Sequence, residues 1–125
     1  MSYLSNQTVP LNLTLGLKNA GDIIPQVLPI VQFSVNEQCV EYGECETFKP
    51  FIDAGKPVFH IEYPDGAGEG DGLEDSVVQK FCGDDGDARG SEIFSTVLKK
   101  MDLDGWVEYC DSKIEVTSVN ATSSG

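Results

Sequence analysis

The residue with the most chemical promise is a carboxylate that closes an apolar strand. Residues 33–45 read F-S-V-N-E-Q-C-V-E-Y-G-E-C. Strict alternation puts Glu37 on the face of Phe33 and Val35, with Ser34, Asn36 and Gln38 on the other. Apolar surroundings disfavour the charged form of an acid, which suits Glu37 to donating a proton. A second carboxylate, Glu62, closes the run P-V-F-H-I-E-Y at residues 57–63. Two such acids at one rim suit glycoside hydrolysis: one protonates the leaving oxygen while the other acts as nucleophile or base. Glu62 is equally suited to hydrogen-bonding a sugar, as are Asn36, Gln38 and Tyr63. Lys18 would hold the charge state of a neighbouring acid.

Other chemistries drop out. His60 is the one histidine and reads as a packed core residue, so Ser-His-Asp and Cys-His arrangements lack a base. No P-loop occurs, and no G-x-G-x-x-G follows a strand. The four cysteines, Cys39, Cys45, Cys82 and Cys110, contain no C-x-x-C pair, which argues against zinc. The acidic stretches at 65–71 and 83–87 lack the alternating ligands of an EF-hand and read as flexible loops, although a calcium-stabilised module is the reading they would support. No metal or cofactor is expected.

The elements that must carry these residues alternate in type. A strand is expected over 11–19, where Leu13, Leu15 and Leu17 share a face. A helix over 23–30 follows, bent or ended by Pro29, and then the strand 32–38. A helix over 46–54 with Gly55 as its cap precedes the strand 57–63. Residues 64–90 form a long loop rich in glycine and aspartate, interrupted by an apolar run over 77–82. A helix over 92–101 is expected from the stripe Ile93, Phe94, Val97, Leu98 and Met101, capped by Ser91, and a last strand over 104–110. The alternation implies parallel strands with right-handed crossovers, and periodicity alone leaves open a half barrel or a small open α/β sheet. In both, ligands bind at the carboxyl ends of the strands, where Lys18, Glu37, Glu62 with Tyr63, and Glu108 with Tyr109 all fall.

Composition limits the setting. The chain has 125 residues, enough for one compact domain or part of one, and 40% of them are hydrophobic. A net charge of -13 argues against nucleic acid and anionic membranes as partners and would suit a cationic ligand. An even cysteine count with one close pair favours disulfides, taken as Cys39–Cys45 and Cys82–Cys110, and hence an oxidising compartment. Three N-x-T sequons, at Asn6, Asn12 and Asn120, point the same way. No charged and apolar leader follows Met1, so a secreted protein whose signal peptide lies in a missing N-terminal part is expected.

Gly16-Leu17-Lys18-Asn19, Val35-Asn36-Glu37-Gln38-Cys39 with Tyr42, Glu44 and Cys45, then Pro50-Phe51-Ile52-Asp53-Ala54-Gly55-Lys56 and Glu62-Tyr63 together resemble glycoside hydrolase family 114. The match runs in one order from about Tyr3 to about Cys110. This resemblance implies a secreted TIM-barrel endo-α-1,4-polygalactosaminidase, with α-galactosidase as a looser label, acting on a cationic or neutral galactose-type polysaccharide. It implies Glu37 as one catalytic carboxylate and, as its partner, an Asp from an Asp-Pro-Asp-Asn-like segment that this chain does not contain. The expected fold is therefore the C-terminal half of a (β/α)8 barrel, four parallel strands within residues 1–111, followed by a polar, disordered tail at 112–125. Such a half would lack its own activity and would self-associate through exposed strand edges. The alternative is a non-catalytic remnant that binds polysaccharide.

Overall fold

The computed structural model describes residues 2–118. Helix α1 (Ser2–Thr8) runs into a 3-10 turn, and strand β1 (Gly16–Lys18) opens a single six-stranded sheet ordered β1-β2-β3-β4-β5-β6. Its remaining strands are β2 (Phe33–Glu37), β3 (Val58–Glu62), β4 (Ser95–Leu98), β5 (Trp106–Tyr109) and β6 (Ile114–Val116). Helices α2 (Ile24–Val27), α3 (Lys49–Asp53) and α4 (Asp75–Cys82) lie in the connections between the first four strands. Strands β1 to β4 pair in parallel, as connections long enough for a helical crossover allow. Four parallel strands joined by three helical crossovers are part of a (β/α)8 arrangement.

The last third of the chain differs from the sequence expectation. Residues 92–101 do not form a helix. Phe94 and Leu98 are buried, but Ile93 and Met101, which would complete the stripe, lie 69% and 65% exposed. The β-branched Thr96 and Val97 instead pair with His60 and Ile61 of β3. The helix that crosses from β3 to β4 is α4, inside the expected loop, and it buries Val78 and Phe81. The strand expected over 104–110 exists as β5 but runs antiparallel to β4, because a turn through Leu103 (φ 54°) is too short for a crossover. Part of the expected tail, Ile114–Val116, pairs with β5. The rest of that tail from residue 119, with the sequon at Asn120, lies outside the described residues.

Smaller differences have local causes. The strand expected over 11–19 shrinks to Gly16–Lys18, since Pro10 sits in a 3-10 turn that Asn12 (φ 60°) closes, leaving Leu11 and Leu13 exposed. Pro50, an apparent irregularity within a helix, falls in the first turn of α3 because residues 45–48 form a separate 3-10 turn.

One face of the sheet is covered and the other is open. Leu17, Ser34, Asn36, Val58, His60, Glu62, Leu98 and Glu108 are buried beneath the helical layer that contributes Ile24, Val27, Phe48, Phe51, Val78 and Phe81. Phe33, Val35, Ile61, Val97 and Tyr109 are half-exposed on the opposite face, and Phe59 there is 45% exposed. Phe33 and Phe59 meet edge to face with centroids 5.9 Å apart. Gly16 permits this packing, because a Cβ at that position would stand 2.2 Å from the Phe33 ring.

Candidate active site

Three of the predicted residues meet at the carboxyl ends of β1 to β3, on the open face. Lys18 Nζ lies 3.1 Å from Glu37 Oε1, with the two side chains 65% and 26% exposed. Tyr63 follows β3 and sits beside Glu37. Its phenol pKa is raised above the ordinary 10.0, first by burial, then by the charge of Glu37 and a hydrogen bond to it, and last by the charge of Glu62. The phenol therefore keeps its proton throughout the neutral range and can donate it in a hydrogen bond to Glu37.

The backbone that presents Glu37 is unusually constrained. Asn19, Ala20 and Gln38, all just past strand ends, adopt left-handed conformations with φ of 51°, 50° and 64°. Residues other than glycine hold that conformation only where their surroundings fix it. Here the Asn19 N–H donates to the Val35 carbonyl (2.8 Å), and Asn19 Oδ1 accepts the Glu37 N–H (3.0 Å). The Gln38 N–H donates to the Ile61 carbonyl (2.8 Å). Asn19 is a site residue that the sequence shows only as the last residue of the expected strand 11–19, without a role.

Asn36 and Glu62 are not brought to the open face beside Glu37; for Asn36 this is the face that strand alternation predicts. Strand alternation turns them to the helix-covered face, where they are 1% and 0% exposed. Asn36 Oδ1 accepts the Cys39 N–H (3.1 Å) and so closes the turn after β2. Glu62 Oε1 accepts the Val40 N–H (2.6 Å) and the His60 Nε2–H (2.8 Å), and His60 Nδ1 hydrogen-bonds with Thr96 Oγ1 (2.9 Å). This buried chain of polar groups joins β4 and β3 to the loop that follows Glu37. The Cys39–Cys45 disulfide closes that loop, and a second, Cys82–Cys110, ties the end of α4 to the residue after β5. Cys39, Cys45 and His60 converge within 4.8 Å, but both sulfurs are bound to each other, so no thiolate is available to a metal.

Chemically, the open rim offers a carboxylate paired with a lysine and flanked by a neutral phenol. Glu108, like Glu62, points to the covered face, where its Oε2 accepts the Leu73 N–H (3.0 Å). Neither acid shares the face of Glu37.

Comparison with known proteins completes the description. The sequence profile of glycoside-hydrolase family GH114 matches residues 1–115. The solved structure of Aspergillus fumigatus Ega3 in complex with galactosamine is similar to this chain, with a TM-score of 0.71 and 49% identity over 86% of it. This chain spans 42% of the length of that one. No curated protein matches. The parallel strands β1 to β4 with their crossovers are a partial TIM barrel.

Proposed function

Because the chain belongs to glycoside-hydrolase family GH114, we propose that it is the portion of an extracellular α-galactosaminide-cleaving glycosidase that carries the general acid/base, Glu37. The observation that supports this most is the position of Glu37: at a strand end, on the face that a closed barrel turns inward, and between Lys18 and Tyr63. A proton donor to a glycosidic oxygen needs that combination of access and anchoring. Lys18, 3.1 Å from Glu37 Oε1, and the neutral Tyr63 phenol beside it orient the Glu37 carboxyl group. Gln38, whose backbone is fixed at the rim, is left to contact sugar. Asn36 acts only by shaping the turn.

The galactosamine bound by the similar structure supports an amino-sugar polymer as substrate, and the charge of -13 suits a polycation. Hydrolysis needs a second carboxylate on the face of Glu37. We place it on the remaining part of the barrel, so that this chain by itself does not turn over substrate. The test is complementation: this chain is mixed with the other part of a GH114 barrel and given an α-1,4-galactosamine polymer. Release of oligosaccharide that Glu37→Gln abolishes is expected. Release that survives Glu37→Gln removes Glu37 from the mechanism.

A further inference from the structure

The sequons at Asn6 and Asn12 have no part in the rim around Glu37, and the fold sets the two apart. Asn6-Gln7-Thr8 lies within helix α1, where side chains two residues apart point about 200° away from one another and cannot act together. The Thr8 hydroxyl there already donates to the Ser5 carbonyl (3.1 Å). Asn12-Leu13-Thr14 instead leaves the 3-10 turn and runs toward β1 without regular structure, all three residues exposed. Asn12 is the left-handed residue that closes the turn (φ 60°), a conformation asparagine adopts more readily than most. Its N–H donates to the Val9 carbonyl and the Leu13 N–H to the Thr8 carbonyl, both at 3.1 Å. Backbone bonds therefore fix the turn, and a group attached to the Asn12 side chain breaks neither of them.

We propose that Asn12 is an N-glycosylation site whose glycan shields the exposed leucines on either side of it, Leu11 (68%) and Leu13 (57%). The segment enters the sheet at its amino end, where the Gln32 N–H ahead of β2 donates to the Leu15 carbonyl (2.8 Å). Lys18, Glu37 and Tyr63 stand at the carboxyl ends of β1 to β3. A glycan on Asn12 thus leaves from the end of the sheet opposite the rim and does not obstruct substrate. Turns that lead into strands run over the surface, so the site stays open when the rest of a barrel is in place. In the transfer, the Asn12 side-chain nitrogen bonds to the anomeric carbon of a lipid-linked oligosaccharide. The bond from that carbon to the lipid diphosphate breaks, the diphosphate leaves with the electron pair, and the amide gives up one proton. The attached chain is bulky and hydrated, which suits it to covering apolar surface. The site rests on the extracellular part of the proposed function, which supplies the sugar donor.

The test routes the 125-residue chain through the secretory pathway of a yeast host behind a cleavable leader. The product, secreted or retained, is treated with a glycan-releasing amidase in isotopically labelled water, which turns each glycosylated Asn into a labelled Asp. Peptide mass spectrometry should find the label on Asn12 in most chains and on Asn6 in few. Thr14→Ala should abolish it at Asn12, and Thr8→Ala should leave it there. In sedimentation at equal concentration, the glycosylated chain should associate several-fold less than the amidase-treated one, although treatment adds a negative charge. Thr14→Ala, which loses the glycan without gaining a charge, should associate like the treated chain. An unlabelled Asn12, or equal labelling of Asn6, would overturn the site. Association that the glycan does not reduce would overturn the shielding. Both outcomes leave the glycosidase reading intact, since that reading fails only on polymer cleavage in the complementation assay.

Discussion

Replacing Glu62 should cost this protein far more stability than replacing Glu37, although both are strand-end glutamates. Glu62→Ala removes the acceptor of the Val40 N–H at 2.6 Å and of the His60 Nε2–H at 2.8 Å, both in buried surroundings. Each stranded donor costs about 1–3 kcal/mol, giving about 2–6 kcal/mol before any cavity is counted. That is a large part of the ~5–15 kcal/mol that holds a domain folded. Glu37→Gln removes an ion pair whose members are 65% and 26% exposed, so solvent screening leaves about 0–1 kcal/mol. The bond from the Glu37 N–H to Asn19 belongs to the backbone and survives. Urea unfolding at pH 7, followed by fluorescence of the single, buried Trp106, measures both. Glu62→Gln, which retains a carbonyl acceptor, should fall between them. If Glu62→Ala unfolds at the same urea concentration as the parent, or Glu37→Gln is the costlier change, the two acids have been placed on the wrong faces.

Three further outcomes follow from the same geometry. Tyr63 should titrate above 10.0 by tyrosine-selective NMR and move down toward that value in Glu37→Gln; an unchanged titration would separate the two side chains. Because its folded-state pKa is raised, the stability it contributes is present below pH 10.0 and is lost as pH rises through the folded value, so alkaline unfolding should begin earlier in the parent than in Tyr63→Phe. Removing the Cys82–Cys110 bond, whose partners are 28 residues apart, should cost about 3.5 kcal/mol in the chain-entropy description, seen as a lower urea midpoint in the double serine variant. Finally, the open β1 edge, the apolar sheet face at Phe59, and Tyr3, Val9 and Leu11, each about two-thirds exposed or more, should drive concentration-dependent association in sedimentation, stronger in salt that screens the charge of -13. A monomer with a cooperative melt at every concentration would contradict this.

Much of the architecture is written locally. Period-2 runs of β-branched and aromatic residues specify β2 and β3 and their two faces, whereas Pro50, in the first turn of α3, reads in the sequence as an interruption of a longer helix. The order of strands and helices dictates parallel pairing as far as β3. Glu37 at a strand end, with Lys18 on the neighbouring strand, follows from spacing alone. Residues 92–98 were not legible, because S-T-V-L is too short to tell a strand from a buried helical turn, and Phe94 and Leu98 fit both periods. Only pairing with β3 settles it.

The roles of the two glutamates depend on something no local pattern holds. Alternation divides a strand into two faces but does not say which one the helices will cover. In parallel units the crossovers take one side, and the side they take buries Asn36, His60 and Glu62 while leaving Phe33, Val35 and Glu37 open. The Val40 N–H that makes Glu62 an anchor comes from 22 residues away, and the Thr96 hydroxyl on His60 from 36. The sequence by itself therefore determined that strand-end carboxylates exist and where each lies along its strand. Tertiary structure decided which one meets solvent and which one is buried, because that choice depends on long-range packing of helices against the sheet.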